Sequence, residues 1–356
     1  MKYPALLPFC DIVDQLEEFD QIIDVRSPAE FALDHIPGAI NCPVLDNEQR
    51  ILVGTLYKQV NAFEAKKVGA ALVAKNIALH IEQQFLAYPR NWKPLIYCWR
   101  GGNRSGAMAL ILAKIGWPAA QLDGGYKAYR LHINAELDTL ISRFQYRVVC
   151  GTTGSGKSRL LQALDVCGAQ VLDLEQLAAH RGSVLGDLPT EPQPAQKAFE
   201  SAIWNRLRHF DSQKPVYVES ESKKVGNLRV PAHLIECIRS ADCINLQSDF
   251  DLRVALLMED YAYFTTEPVE LMKRLHYLTS LHGKEKIHHW QDLVNQNQMA
   301  ELVRDLLAQH YDPAYLRSIG RNFPKLNMAP AVNLAGITEA DFLQLARQLM
   351  AQLPQD

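Results

Sequence analysis

Apolar and polar positions follow two spacings along this chain, and each spacing predicts a different kind of element. Short apolar runs bounded by loop residues predict buried strands at 21–25 and 94–98. Longer segments predict helices at 63–85 and at 105–115, the second ending at Gly116. Strands that alternate with helices are typical of a parallel sheet. The first part of the chain is therefore predicted to be an α/β domain.

The second part repeats this pattern after an amphipathic segment at 131–144, which predicts a helix joining two domains. Further strands are predicted at 146–150, 169–174, 216–219 and 243–246, with a helix after the first of them that ends near Cys167. From Phe250 onward the pattern is mostly helical. We predict four segments: residues 1–130, a helical connector at 131–145, a second parallel-sheet domain at 146–250, and a helical region at 251–356 that we assign to the second domain.

Composition narrows the class of protein. The 356 residues are 48% hydrophobic and 22% charged, as in ordinary globular proteins. A net charge of −3 gives no whole-chain attraction to nucleic acid, although a local basic patch is enough for binding. Seven irregularly spaced cysteines predict reduced thiols rather than a disulfide framework. Short apolar runs and an early Asp11 favour a cytoplasmic protein with no membrane partner.

A glycine-rich segment after strand 146–150 matches the pattern GxxxxGK[ST] at every position. It consists of Gly151, Thr152, Thr153, Gly154, Ser155, Gly156, Lys157 and Ser158. Small residues let backbone N–H groups surround a phosphate, and the next helix presents its positive end. Lys157 adds a charge, and Ser158 is placed to bind Mg²⁺. The motif predicts a phosphate site without distinguishing ATP from another diphosphate.

Acidic residues at neighbouring strand ends are candidate partners of this P-loop. Glu219 and Glu221 follow strand 216–219, and Asp173 lies at the end of strand 169–174. Carboxyl ends of parallel strands meet at one edge of a sheet, so these acids are predicted to order Mg²⁺ or a water there. Ordinary solvated strand-end carboxylates are the open alternative.

A second loop joins a predicted strand to a predicted helix and begins with a cysteine. It consists of Cys98, Trp99, Arg100, Gly101, Gly102, Asn103, Arg104 and Ser105. Backbone N–H groups that turn toward the sulfur, together with the helix dipole, Arg100 and Arg104, would lower the thiol pKa. Cys98 is therefore the candidate nucleophile, and the same donors would hold a persulfide or selenium adduct.

The first domain resembles the rhodanese family. The resemblance is carried by 24–31 (DVRSPAEF), 35–41 (HIPGAIN), 98–105 and 122–129 (LDGGYKAY). It implies structural roles for Asp24 and Arg26. Arg104 lies six positions after Cys98, one more than in the usual sulfurtransferase loop. The longer loop is similar to that of rhodanese-fold phosphatases, which favours a phosphate-like donor over thiosulfate.

The combination of this domain with a P-loop domain resembles the tRNA 2-selenouridine synthase family. The further motifs are 174–175 (LE), 180–183 (HRGS) and 218–231 (VESESKKVGNLRVP). The resemblance implies that selenium from selenophosphate replaces sulfur in the wobble 2-thiouridine of a tRNA. It also implies an S-geranylated intermediate made from geranyl diphosphate, no tightly bound cofactor, and a selenophosphate-supplying enzyme as metabolic source.

Candidate contacts to the tRNA are an aromatic residue for stacking and nearby basic residues. They are Trp99, Lys223, Lys224 and Arg229. Three other hypotheses stay open on the sequence. They are a rhodanese-type sulfurtransferase with a regulatory P-loop NTPase domain, a P-loop kinase or NTPase with an inert rhodanese module, and a non-catalytic tRNA-binding scaffold.

Overall fold

The computed structural model describes residues 3–351, which divide into two compact units after Leu137. The strands of the first unit are β1 (Ala5–Leu7), β2 (Gln21–Asp24), β3 (Ala39–Asn41), β4 (Pro94–Tyr97) and β5 (Ala120–Leu122). They form one parallel sheet in the order β1-β5-β4-β2-β3. This confirms the predicted α/β class for the first unit.

Helices connect these strands and cover the sheet. They are α1 (Phe9–Ile12) with a 3₁₀ segment (Val13–Glu18), α2 (Pro28–Leu33), α3 (Asn47–Gln59), α4 (Ala62–His80) with a π turn (Ile81–Phe85), α5 (Asn103–Ile115) and α6 (Gly125–Ile141). Two of them begin with a capping box, in which Ser27 pairs with Glu30 and Asp46 pairs with Gln49. These side chains satisfy backbone N–H groups that a helix start leaves unpaired.

The core of the first unit lies between the sheet and α5. Ile23 and Ile96 of the central strands pack with Met108 and Leu112 of α5, and all four are fully buried. Burial of one such side chain stabilises the fold by roughly 1.5–3 kcal/mol. The end of β4 is thereby fixed, and the cysteine loop starts from that end.

The second unit is built on another five-stranded parallel sheet. Its strands are β6 (Tyr146–Cys150), β7 (Gln170–Leu172), β8 (Val216–Glu219), β11 (Asp242–Gln247) and β12 (Ala331–Asn333), with a separate hairpin of β9 (Lys224–Val225) and β10 (Leu228–Arg229). The sheet order is β12-β11-β6-β8-β7. The central strand β6 runs directly into the P-loop, as the sequence predicted.

Helices of the second unit flank this sheet and form a bundle beyond it. They are α7 (Lys157–Val166), α8 (Leu174–Leu177), α9 (Gln196–Arg208), α10 (Ala232–Ser240), α11 (Phe250–Asp260), α12 (Tyr263–Thr266), α13 (Pro268–His276), α14 (Thr279–Asn295), α15 (Met299–Leu306) with a π turn (Leu307–Tyr311), α16 (Asp312–Asn322) with a 3₁₀ segment (Pro324–Met328), and α17 (Glu339–Ala351). Phe342 and Leu345 of α17 share the core of α7 and the sheet. Within residues 3–351, no helix combines the length and apolarity needed to cross a bilayer.

Some local predictions differ from the structure. The helix expected at 131–144 is α6, which begins earlier, at Gly125, and contains the position where the two units divide. The strand expected at 169–174 ends at Leu172, because Asp173 caps the short helix α8. The strands β1, β3, β5 and β12 were missed because a three-residue strand shows no measurable period.

A phosphate cavity and a cysteine loop

The P-loop conformation depends on its glycines. Gly154 and Gly156 have φ angles of +77° and +89°, which L side chains rarely adopt. A Cβ at Gly156 would lie 2.8 Å from the Phe342 ring, and one at Gly151 would lie 2.8 Å from the Leu246 carbonyl oxygen. The tertiary packing of α17 and β11 therefore requires the small residues that the motif supplies.

Lys157 and Ser158 start α7 and face the space in front of the loop. The Lys157 ammonium donates to the carbonyl oxygens of Gly151, at 2.9 Å, and Thr152, at 3.3 Å. The Ser158 hydroxyl donates to Glu175 Oε2 at 2.8 Å. Both groups are thus near the mouth of the loop, where a phosphate or a cation would meet them.

The acids behind this loop fall into two layers. Glu221 and Glu175 line the cavity, and both carboxylates lie against Gly182. Glu219 is fully buried behind them, and its Oε1 accepts the Glu175 backbone N–H at 2.8 Å. Asp173 accepts the Gln176 N–H as the cap of α8. Asp173 and Glu219 therefore bind backbone N–H groups. Glu175 faces the cavity, although the sequence named it only within the motif at 174–175 and not among the candidate acids.

Burial raises the pKa of three of these acids, Asp173, Glu219 and Glu221. Burial is the largest cause for Glu221, and the nearby Glu175 adds to it, so that its pKa is raised to about 8. The pKa of Asp173 is raised to about 6, again chiefly by burial. The pKa of Glu219 is raised well above its usual range, by burial first and then by the charges of Asp173 and Glu175. At neutral pH, Glu221 is therefore mostly protonated.

The cavity in front of the P-loop has a volume of about 300 Å³. Its walls come from the P-loop, α7, the segment after α8, the segment after β8, α11 and α16. Its ionisable lining is Lys157, Arg159, Arg181, Glu175, Glu221 and Asp260. Three basic and three acidic side chains thus line it, as in a site for a charged, hydrogen-bonding group.

A second, apolar chamber adjoins the phosphate cavity and shares part of its wall. The shared residues are Thr153, Ser183, Leu257, Tyr261 and Tyr311. The remaining lining is contributed largely by the helical bundle and consists of Leu185, Met258, Phe264, Leu271, Met299, Leu302, Val303, Leu306 and Leu307. Every one of these nine side chains is apolar, so the chamber suits a hydrocarbon group.

The cysteine loop in the first unit encloses its sulfur. Cys98 is 1% exposed and packs with the apolar core of that unit. The Ser105 hydroxyl donates to its sulfur at 3.4 Å, and the thiol donates to the Arg100 carbonyl at 3.6 Å. These are its hydrogen bonds among residues 3–351. The sequence predicted backbone N–H groups turned onto the sulfur, but within the described part of the chain its partners are the Arg100 carbonyl and the Ser105 hydroxyl.

Neighbouring segments hold this loop in place. Gln121 Nε2 donates to the Gly102 carbonyl and to the Ser105 hydroxyl, both at 3.1 Å. The Tyr126 N–H donates to the Cys98 carbonyl at 2.8 Å. The motif at 122–129 thus holds the start of the loop through the Cys98 carbonyl. Gln121, which precedes this motif, is a further residue that the sequence did not identify.

The two arginines of the loop have different surroundings. Arg104 donates to Glu30 Oε2 at 3.0 Å. Burial alone would raise the pKa of Glu30, but the hydrogen bond and charge of Arg104 outweigh it and lower that pKa. Arg100 is exposed, and the neighbouring Trp99 is 39% exposed with its ring tilted against Tyr126. Arg104 is oriented by Glu30, whereas Arg100 is free to reach a ligand.

The basic candidates of the second unit lie on the hairpin β9–β10. Lys223, Lys224 and Arg229 are all exposed, and Lys224 pairs with Arg229 in the hairpin register. The same segment begins at Glu221, on the cavity wall. A basic surface therefore continues from the rim of the phosphate cavity.

Comparison with known proteins agrees with this architecture. A family model described as the tRNA 2-selenouridine synthase AAA domain matches residues 144–329, and one described as the rhodanese-like domain matches residues 11–132. The tRNA 2-selenouridine synthase of Nitrosomonas europaea is 35% identical over 259 residues, which are 71% of this chain and 66% of that protein.

Two other relatives match over most of both chains. The tRNA 2-selenouridine synthase of Hydrogenovibrio crunogenus is 32% identical over 85% of this chain and 92% of its own length. That of Sulfurovum sp. is 32% identical over 86% and 90%. With two motif-bearing loops in the two units that the family models match, this chain belongs to the tRNA 2-selenouridine synthase family.

Proposed function

We propose that this chain replaces sulfur by selenium in 2-thiouridine at the wobble position of a tRNA, through an S-geranylated intermediate. Geranyl diphosphate supplies the geranyl group and selenophosphate supplies the selenium. The observation that carries the proposal is the apolar chamber that shares five lining residues with the P-loop cavity. A nucleotide would place a ribose and a base beyond its phosphates, and a chamber of leucine, methionine and phenylalanine offers them few hydrogen bonds.

The first step is an alkylation. The sulfur of 2-thiouridine attacks the first carbon of the geranyl chain, the carbon–oxygen bond to the diphosphate breaks, and N3 of the uridine loses its proton. Lys157 and the P-loop N–H groups stabilise the departing diphosphate by charge and hydrogen bonds. The chamber holds the hydrocarbon and keeps water from the reacting carbon.

The second step replaces the geranylated sulfur. Selenium from selenophosphate bonds to C2 of the uridine, geranyl thiol leaves, water converts the phosphoryl group to phosphate, and N3 regains a proton. We assign Cys98 to this step as the nucleophile, because it is the thiol of the loop that Arg100 and Arg104 flank. Its sulfur bonds to C2 as geranyl thiol leaves with the thiol proton, and selenium then displaces Cys98, which regains a proton. Glu30 orients Arg104, whose planar guanidinium suits a phosphate-like group.

Mg²⁺ at Ser158 is part of the proposal. The Ser158 hydroxyl and the Glu175 carboxylate are oxygen ligands of the type that Mg²⁺ prefers. Within residues 3–351, no cluster of three or more acidic, histidine or cysteine side chains is arranged to hold a metal. The diphosphate oxygens would thus complete the coordination, and the ion would neutralise charge on the leaving group.

The tRNA is proposed to approach over the exposed hairpin that carries Lys223, Lys224 and Arg229. Such side chains contact phosphates without reading sequence. In the first unit, Trp99 offers an exposed ring for stacking on the unpaired wobble base. A separate enzyme that makes selenophosphate would be the metabolic source of selenium.

The test is a reaction of purified chain with an anticodon stem-loop RNA that carries 2-thiouridine. With geranyl diphosphate, mass spectrometry of the nucleosides is expected to show S-geranylated uridine, and added selenophosphate is expected to convert it to 2-selenouridine. Excess ATP is expected to leave the first product unchanged. Rapid ATP hydrolysis without RNA, together with no geranylated product, would contradict the proposal and favour an NTPase.

A further inference from the structure

Three cationic side chains line the phosphate cavity, and two of them are already engaged. Lys157 donates to carbonyl oxygens of its own loop. Arg159 donates to Asp260 Oδ1 at 2.7 Å and to Glu259 Oε2 at 2.8 Å. Arg181 is the third, and its surroundings differ from those of the other two.

Arg181 has a charge close to the cavity and spare hydrogen-bonding capacity. Its nearest ion-pair partner is Asp260, whose Oδ2 lies 3.8 Å from Nη1, too far for a hydrogen bond. Its Nε is buried and has no hydrogen-bond partner among the side chains and backbone groups that the structure describes. The guanidinium carbon lies 5.2 Å from the centre of the Tyr261 ring. A buried N–H group without an acceptor is costly, so an acceptor supplied by a ligand would relieve that cost.

The loop that carries Arg181 contacts both compartments. An isolated bridge between His180 and Asp187 closes the loop, and the Arg181 N–H donates to the Gly186 carbonyl at 2.9 Å. From this loop, Arg181 lines the phosphate cavity, Leu185 lines the apolar chamber, and Ser183 lines both. A ligand that extends from one compartment into the other would therefore be contacted by this one loop along its length.

We propose that Arg181 binds the phosphate group of the diphosphate ligand that the P-loop does not enclose, and so makes the cavity selective for a diphosphate over a monophosphate. Its guanidinium leaves the long contact with Asp260 and donates through Nε and a terminal nitrogen to two phosphate oxygens. The inference deepens the proposed function and rests on it only in taking the ligand to be a diphosphate.

Charge and geometry set the expected size of the effect. The P-loop N–H groups and Lys157 are enough to hold one phosphate, so a monophosphate gains little from Arg181. A diphosphate gains a bidentate, charge-assisted pair. Removal of one such pair is expected to weaken diphosphate binding by about 10- to 100-fold. The affinity for inorganic phosphate is expected to change by less than about 3-fold, because solvent ions screen the charge of Arg181 at its larger distance from a phosphate in the P-loop.

The experiment is calorimetric titration of the full chain with inorganic diphosphate and, separately, with inorganic phosphate. Arg181→Ala and Arg181→Gln are compared with wild type, and each variant is first checked for an unchanged Tm. Arg147→Ala is the matched control, because Arg147 lies at the opposite end of β6 and pairs with Asp242 at 2.9 Å. Asp260→Asn is a second arm, expected to bind diphosphate as tightly as wild type or up to about 3-fold more tightly, since it removes the competing carboxylate.

A selective loss of diphosphate binding in both Arg181 variants, with the control unchanged, supports the assignment. Diphosphate binding within about 2-fold of wild type in either folded variant overturns it, as does an equal loss for phosphate and diphosphate. The outcome is independent of the geranyl chemistry. If the chain binds diphosphate through Arg181 but does not geranylate RNA, the proposed function fails and Arg181 keeps its role. If it geranylates RNA and Arg181→Ala binds diphosphate normally, only this inference fails.

Discussion

The cysteine loop and the P-loop have the same local design and opposite accessibility. Each follows a central parallel strand, contains glycines with positive φ, and leads into a helix. The P-loop faces a cavity of about 300 Å³, and Lys157 lines that cavity. The cysteine loop covers its own sulfur, since Cys98 is 1% exposed.

This difference follows from what closes each loop. Around the cysteine loop, Gln121 binds the Gly102 carbonyl, and the backbone of α6 binds the Cys98 carbonyl, so the loop is held over the sulfur. Around the P-loop, α17 and β11 press on the outside of the turn and leave its inner side open. A strand–loop–helix motif therefore fixes where a reactive group lies, while the elements packed on the loop decide whether a ligand can reach it.

The largest effect is expected from Cys98→Ala. If the cysteine loop serves the selenium step, this variant loses 2-selenouridine formation by at least about 1,000-fold, the size typical for removal of a nucleophile. Geranylation, which uses the other unit, is expected to stay within about 2-fold. Both products are measured by nucleoside mass spectrometry. Cys42→Ala is the control, because Cys42 is another fully buried thiol of the same core. Equal loss of both products would mean that the two loops do not divide the chemistry.

The reciprocal variant is Lys157→Ala. This variant removes the ammonium group that stabilises the leaving diphosphate. Geranylation is therefore expected to slow by about 100-fold, a cost typical for the loss of one electrostatic contact to a transition state. Alkylation of Cys98 by iodoacetamide is expected to be unchanged. Lys214→Ala is the control, since Lys214 is 68% exposed and its ion pair with Asp211 is long, at 4.0 Å. Normal geranylation by folded Lys157→Ala would remove the P-loop from the reaction.

The sequence predicted the positions of both loops better than their surroundings. The GxxxxGK[ST] motif is contiguous, and the five-residue strand before it is apolar except at Arg147, so element and motif could be recognised together. The cysteine loop was located for the same reason. Its enclosure was not predicted, because Gln121 lies nineteen and sixteen positions from Gly102 and Ser105, the residues that it binds.

The apolar chamber could not be predicted at all. It brings Leu185 together with Leu257, Leu271 and Leu306, which lie on separate elements far apart in the chain. Each of these positions fits an ordinary buried helix or loop, and only their tertiary packing makes a chamber. The role of Glu175 was hidden in a similar way, since its carboxylate meets Ser158 and Glu221 only after the chain turns at Gly182.

A smaller effect is expected from Glu221→Gln, which tests how much the ionisation of a buried carboxyl in the cavity wall destabilises the fold. The pKa of Glu221 is raised to about 8 by burial and by Glu175. In the unfolded chain this carboxyl has a pKa near 4.3. Between these two pH values the folded state therefore binds more protons at Glu221 than the unfolded state does. The stability associated with the protonated carboxyl is fully present at low pH and is lost as the pH rises toward 8.

Relative to wild type, Glu221→Gln is thus expected to gain stability between pH 5 and pH 9, by on the order of 2–4 kcal/mol. The measurement is Tm as a function of pH for both proteins. Glu236→Gln is the control, because Glu236 is 76% exposed. A constant difference in Tm across this pH range would show that Glu221 is not held in its protonated form.

The smallest effect is expected from Gln121→Ala, which acts directly on the closure of the cysteine loop. The variant removes two hydrogen bonds of 3.1 Å, to the Gly102 carbonyl and to the Ser105 hydroxyl. Each is worth about 0.5–1.5 kcal/mol, so the loop is expected to open about 10-fold more often. Alkylation of Cys98 by iodoacetamide, followed by peptide mass spectrometry, should accelerate by that factor, while alkylation of the exposed Cys10 in the same sample serves as the internal reference. An unchanged rate at Cys98 would mean that the core of the first unit, rather than the cysteine loop, encloses the thiol. The difference in accessibility between the two loops would then arise from the strands that precede them and not from the elements packed on the loops.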